Sequence, residues 1–243
     1  MKRFWKEAAL LETSGGWQVA LDGRAVKTQG GRAQIVPSRA LAMAMAAEWN
    51  MQGETLDPRS FPMRDLTDFT IDRVATGEDD LVTKTLAFAE TDTLCYRAEA
   101  GTALSRRQDV EWEPLLAAFE AREGVQLTRV DSILHVEQPA ETIAALRTRL
   151  EGLDPFTLAG VYTLASLSAS LCLGLTALEK DADAGALWQT SHLEETVQHE
   201  LWGVDMEAKA AQEEKRAAFL TAFEFLSLLD ENGRSGEPEA IRA

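Results

Sequence analysis

A chain of 243 residues, 45% hydrophobic and 26% charged, is long enough to bury a substantial core and has the composition of an ordinary globular protein. Its 40 acidic side chains against 24 basic ones give a net charge of −16; such a surface repels nucleic-acid phosphates and anionic membranes, so neither is an expected partner. Cys95 and Cys172 stand in apolar stretches with no Cys-x-x-Cys spacing, which reads as two buried thiols and not as a zinc site.

The N-terminus, Met-Lys-Arg-Phe-Trp-Lys, carries neither an apolar signal core nor an Arg/Ser-rich transit region, and a cytoplasmic location is expected. Strands are predicted over Lys6–Glu12, Trp17–Leu21, Ala25–Thr28 and Ala33–Val36. They are separated by Ser14-Gly15-Gly16, by the hairpin pair Asp22-Gly23 and by Gly30-Gly31, the pitch of an antiparallel meander. At Pro37-Ser38 the period changes. Ser38 is a good N-cap for a helix over Arg39–Gln52, and Pro58 and Pro62 mark an extended connector.

Helices follow over Met63–Thr76, Asp80–Glu90 and Ala103–Arg122. A short strand pair is expected at Val125–Arg129 and Ile133–Glu137, and a helix from Pro139 to about Glu151. Phe156–Leu178 has no charge and is about as long as a bilayer span of roughly 20 residues, but its six Ser and Thr residues and the lack of a flanking basic cluster fit a helix buried among other helices. Asp183 caps a helix ending near Trp202, Gly203 breaks it, and Asp205 caps the last one, whose Phe219, Phe223, Leu226 and Leu229 recur as a core stripe. The fold class is therefore α+β, mainly α. A small N-terminal β-meander domain (1–60) precedes a larger multi-helical domain (61–231), and a Gly/Pro/Glu-rich tail (232–243) is expected to be disordered.

Familiar catalytic patterns are missing. There is no Gly-x-x-x-x-Gly-Lys-Ser/Thr loop, no Gly-x-Gly-x-x-Gly and no Gly-x-Ser-x-Gly elbow, and His135, His192 and His199 are the only histidines. Nothing supports an ATPase, a dinucleotide enzyme or a hydrolase, and no cofactor is expected. One helix stands out. At about 100° per residue, Ala186, Thr190, Leu193, Val197 and Leu201 share a core-facing side. Trp188, His192, Glu195, His199 and Trp202 form a second stripe with a carboxylate at its middle. Three readings stand. The stripe is a binding surface, with Trp supplying area and Glu195 a charge-assisted bond; or it is structural, with Glu195 paired to an internal Arg; or His192, Glu195 and His199 are metal ligands of a carboxylate-dependent enzyme. Glu194 lies nearer the core side and needs a partner if buried.

Several phrases, taken in order, resemble one family: the assembly chaperones of mitochondria and alphaproteobacteria that bind the alpha subunit of the ATP synthase head, the ATP-twelve family. They are Arg3-Phe4-Trp5-Lys6, Leu21-Asp22-Gly23-Arg24, Val26-Lys27-Thr28, Ala47-Glu48-Trp49 with Gln52, Ile71-Asp72-Arg73, Cys95-Tyr96-Arg97-Ala98-Glu99, Arg107-Gln108, Trp112 with Pro114-Leu115-Leu116, and Glu194-Glu195 with Gln198, Trp202-Gly203, Asp205 and Glu207. The match runs from about Arg3 to Leu229. It departs at Gln29, where the family usually has proline, and at His192 and His199, which are not family positions; this weakens the metal reading.

The resemblance implies a β-rich N-terminal domain, a helical C-terminal domain, and an ATP-independent chaperone, not an enzyme. Such a protein holds the alpha subunit against aggregation and yields it during assembly. On this view Trp188, Glu194, Glu195, Gln198 and Trp202 bind the client, while Trp49, Asp72, Arg97, Gly203 and Asp205 carry structure. Trp5 sits at the mouth of the meander, where it packs or meets the client. Trp49 and Trp112 are core residues of amphipathic helices, and Arg97 is expected to pair with an internal carboxylate such as Asp72.

Overall fold

The Asp22-Gly23 pair sets the N-terminal sheet. Both residues take positive φ, 47° and 81°, the backbone that a tight hairpin with strand-matched twist demands. The Asp22 carboxylate accepts from the amides of Lys6 (3.0 Å) and Glu7 (3.1 Å), which fastens the far strand. In the computed structural model the described residues are 1–131, 134–203 and 206–230. The chain is α+β and mainly helical, as expected. Its contacts divide it into two compact units, Met1–Asp79 with the stretch from Glu224, and Asp80–Phe223.

In the first unit β1 (Ala8–Thr13) and β2 (Gly16–Leu21) pair antiparallel, Ala8 opposite Leu21 and Thr13 opposite Gly16. β3 (Arg24–Ala25) joins one end of β2 and β4 (Ile35–Val36) the other. β3 and β4 are shorter than predicted because both share the single free edge of β2. Helix α1 (Arg39–Asn50) starts at Ser38, whose hydroxyl accepts from the Leu41 amide at 3.2 Å and donates to the Leu228 carbonyl. Leu41, Met45 and Trp49, spaced by four, are buried.

The Arg3 guanidinium donates to the carbonyls of Trp5, Lys6, Asn50 and Gln52. It thereby satisfies acceptors that the end of α1 leaves open. Beneath it Trp5 is buried and meets Trp49 edge-on at 5.0 Å, and Trp49 meets Phe61 at 4.6 Å. Helix α2 (Pro62–Phe69) runs on into a π-helical turn over Thr70–Val74, so the helix expected over Met63–Thr76 changes its winding midway.

The second unit holds α3 (Leu81–Glu90), α4 (Ala103–Glu111), α5 (Glu113–Glu123), α6 (Ala140–Glu151), α7 (Pro155–Ser168), α8 (Leu171–Thr176), α9 (Ala184–Ser191) and α10 (Leu193–Trp202). Helix α11 (Met206–Leu229) begins in it. Three predicted helices are each broken in two. The helix over Ala103–Arg122 restarts at Trp112 because Pro114, in the first turn of α5, has no amide to continue the ladder.

The uncharged stretch 156–178 breaks at Ala169, which takes φ 50°. Its carbonyl accepts from the Thr93 amide and hydroxyl, each at 3.0 Å, and the fully buried Asp92 accepts from the Cys172 amide at 2.9 Å. Gly174 lets α8 sit close on α7: a Cβ there would stand 3.0 Å from the Val161 carbonyl. No helix among the described residues is long and apolar enough to cross a membrane.

The third break, at His192 (φ −114°, ψ 25°), divides the helix expected from Asp183 to Trp202. The expected strand pair is not formed among the described residues. Val130 makes one parallel bridge to Tyr96, exchanging bonds of 2.7 Å with Cys95 and Arg97; Ile133 lies outside the described residues. So do Asp205 and residues 231–243, and with them the expected cap and tail. Of the predicted stripe on α11, Phe219 and Leu226 are buried and Phe223 and Leu229 partly so; Phe225, not in the stripe, is also buried.

Candidate functional site

The break at His192 decides which side of α10 meets solvent. Because α9 ends at Ser191, Trp188 belongs to the inner side of α9 with Leu187. Trp188 is buried, stacked on His192 at 3.7 Å and 5.5 Å from Phe219. The expected aromatic stripe from Trp188 to Trp202 is therefore not one surface. Leu193 and Val197 are buried as a helical pair, but Leu201, expected on the same side, is exposed.

Three hydrogen bonds from two side chains of α4 reach α10. Gln108 Nε2 donates to Glu194 Oε1 at 3.0 Å, and Arg107 grips both Glu200 oxygens at 3.1 Å. Below them Trp112 Nε1 donates to the Thr190 carbonyl at 2.9 Å. Burial pushes the Glu194 carboxyl above its ordinary value, the charge of Glu195 adds to this, and the Gln108 bond opposes it. Glu194 is thus half-buried and internally partnered.

Glu195, Gln198 and Trp202 are exposed, and at 100° per residue they share one side of α10. Trp202 is 78% exposed, with Leu201 at 63% and Met206 at 75%. Leu201 and Trp202 close α10 and Met206 opens α11, and all three apolar side chains lie in solvent. Gly203 takes φ 87°, ending α10 beside Trp202, and its amide donates to the His199 carbonyl at 2.9 Å.

His192, Glu195 and His199 line one pocket of about 160 Å3 with Ala211, Gln212 and Lys215 of α11. Burial pushes the His192 ring below the ordinary histidine value, and its Nδ1 is occupied by Ser191 Oγ (2.7 Å) and the Trp188 carbonyl (3.2 Å). No group of three His, Cys, Asp or Glu side chains among the described residues is placed to hold a metal ion.

The ATP12 chaperone protein family profile matches residues 2–120. The crystal structure of Atp12 from Paracoccus denitrificans is similar with a TM-score of 0.89 at 33% identity, over 94% of this chain and 98% of that one. The chain belongs to the ATP12 chaperone family. A candidate chaperone from Agrobacterium tumefaciens is similar at a TM-score of 0.87 and 32% identity, over 94% of this chain and 86% of its own. The mitochondrial protein atp12 of Schizosaccharomyces pombe is 28% identical over 214 residues, 83% of this chain and 74% of that relative. This is the family whose task the resemblance above gives as ATP synthase assembly, and both the family description and the name of the Agrobacterium protein say chaperone.

The span matched by the family profile contains Trp49, Asp72 and Arg97. Trp49 is buried. Arg97 does not pair with Asp72. Its guanidinium donates to Glu113, at the start of α5, at 2.6 Å and lies 3.7 Å from Asp109. Arg129 completes the cluster with bonds to Glu113 (2.6 Å) and Glu120.

Asp72 accepts from Thr28 Oγ1 and the Gly30 amide, both at 2.7 Å, and from Arg32 at 3.1 Å. Burial pushes its carboxyl up, but these three bonds prevail and hold it below the ordinary value. The residues missed in the sequence reading are Arg107, Gln108 and Lys215. Gln108 stood in a quoted family phrase, but nothing local says that its amide reaches a carboxylate 86 residues away.

Proposed function

We propose that this chain is an assembly chaperone of ATP synthase that holds the unassembled alpha subunit of the catalytic head, prevents its aggregation and yields it as assembly proceeds. It acts in the cytoplasm, without ATP and without making or breaking a bond. The observation that supports the reading is the outer side of α10, where the exposed Glu195 and Gln198 share a face with the solvated Trp202. An unassembled subunit exposes the apolar interface meant for its neighbour. A protein that covers it temporarily needs a large apolar contact and a polar group that fixes orientation; Trp and a carboxylate provide these. A hold weaker than the final partner's lets release follow by mass action. The −16 charge keeps the apolar patch from self-association.

The test is suppression of aggregation of isolated alpha subunit, without nucleotide, by wild type and by Glu195→Lys. Wild type is expected to keep the subunit in solution at stoichiometric amounts and the variant to fail while unfolding at the wild-type temperature. A wild-type protein indifferent to the subunit, or active only with nucleotide, overturns the reading.

A further inference from the structure

The pocket between α10 and the start of α11 brings four ionisable side chains around about 160 Å3: His192, Glu195, His199 and Lys215. Only His192 is hydrogen-bonded among the described residues, through Nδ1. Glu195 and Lys215 share the wall and form no ion pair with each other. Both side chains are exposed to solvent, so each keeps its bonding capacity for a third group.

The space equals on the order of five waters at about 30 Å3 each, enough for the head of one polar side chain. A cation drawn to Glu195 is repelled by Lys215, and an anion drawn to Lys215 is repelled by Glu195. A neutral group with a donor at one end and an acceptor at the other uses both. Gln212, the amide-bearing neighbour on α11, adds a further donor and acceptor.

We propose that this pocket takes the carboxamide of a client glutamine or asparagine, its amide donating to Glu195 and its carbonyl accepting from Lys215. The inference rests on the client-binding role of Glu195 proposed above and narrows it: the bond to Glu195 comes from an amide, not from an arginine or lysine.

Two measurements test it. In the first, the free protein is titrated with N-acetyl-glutaminamide, N-acetyl-argininamide and the corresponding capped glutamate, and the ring resonances of His192 and His199 are followed. The glutamine probe is expected to half-saturate at a concentration about tenfold below either ionic probe, a factor that corresponds to about 1.4 kcal/mol. A better ionic probe, or silence of both rings to all three, overturns the proposal whatever the alpha subunit does.

In the second, capture of alpha subunit is compared for wild type, Glu195→Gln and Lys215→Met, each checked for an unchanged unfolding midpoint. Both variants are expected to bind about tenfold more weakly. Stronger capture by Lys215→Met means a cationic client group, stronger capture by Glu195→Gln an anionic one, and no change in either an unused pocket; each overturns the proposal. Failure of wild type to bind the subunit, with the glutamine probe still preferred, instead removes the proposed client and leaves the pocket standing.

Discussion

Gln108 Nε2 donates to Glu194 Oε1 at 3.0 Å while Gln108 Oε1 accepts from the Ala98 amide at 2.8 Å, and the Gln108 side chain is wholly buried. One carboxamide thus ties the turn after Cys95 to α10 and fixes the orientation of its outer side. Gln108→Leu would leave the half-buried Ala98 N–H and the half-buried Glu194 carboxylate without these partners. At about 1–3 kcal/mol for each of the two groups left unsatisfied, a loss of roughly 2–6 kcal/mol is expected in urea unfolding. Gln108→Glu should do worse at neutral pH, where it sets two carboxylates together, and recover on acidification as one of them protonates.

Gly30 and Asp72 form a second close pair. A Cβ at Gly30 would stand 2.7 Å from the Asp72 carboxylate, and the same carboxylate accepts from the Gly30 amide. Gly30→Ala should cost about 1–3 kcal/mol by forcing the loop off its anchor. In an Asp72→Ala background most of that cost should vanish, because the clashing group is gone. A double-mutant cycle on unfolding free energies reads the coupling directly; additive costs would show that the loop is held by something else.

Local patterns carried the sheet, the cap at Ser38 and the core side of α1, because turn residues, N-caps and a four-residue repeat act within a few positions of themselves. The restart at Pro114 was missed, although a proline inside a predicted helix, with no amide to give, is a local signal for it. Ala169 was not legible, since an alanine takes a left-handed conformation only when a distant turn at Asp92-Thr93 makes the bonds that hold it. The joint at His192 was hidden for the same reason, and with it the burial of Trp188. At the candidate site Glu195, Gln198 and Trp202 could be placed on one side by helical arithmetic alone. Lys215 could not, because helical arithmetic within α10 does not say which residues of α11 stand across from it.

Glu48 gives a pH prediction. It is buried, and its carboxylate caps the start of α2 by accepting from the Met63 and Arg64 amides at 2.6 and 3.1 Å. Burial outweighs those bonds and pushes its carboxyl from 4.5 up to about 7. A carboxyl raised in the folded state holds its proton where the unfolded chain has lost it, so its contribution is full below about pH 4.5 and is lost as pH rises through about 7. The 2.5-unit interval corresponds to at most about 3 kcal/mol. Glu48→Gln should remove this slope, so the difference in unfolding free energy between variant and wild type should change across that window and level off on either side. A difference that stays flat from pH 4.5 to 7 would place the carboxyl near its ordinary value.

Trp202 separates recognition from stability most cleanly. Its side chain is 78% exposed, so Trp202→Ala removes almost no buried area and should shift unfolding by no more than about 0.5 kcal/mol, the range of surface substitutions. If Trp202 is the apolar anchor of a client surface, the same change should weaken capture of alpha subunit by about 2 kcal/mol or more, on the order of thirtyfold. Leu201→Ala, beside it but smaller, should fall between wild type and Trp202→Ala. The contrast with Trp188 makes the measurement decisive: Trp188→Ala opens a cavity beneath His192 and should cost about 3–5 kcal/mol of stability. A Trp202→Ala protein that binds as wild type does would move the client surface away from this end of α10.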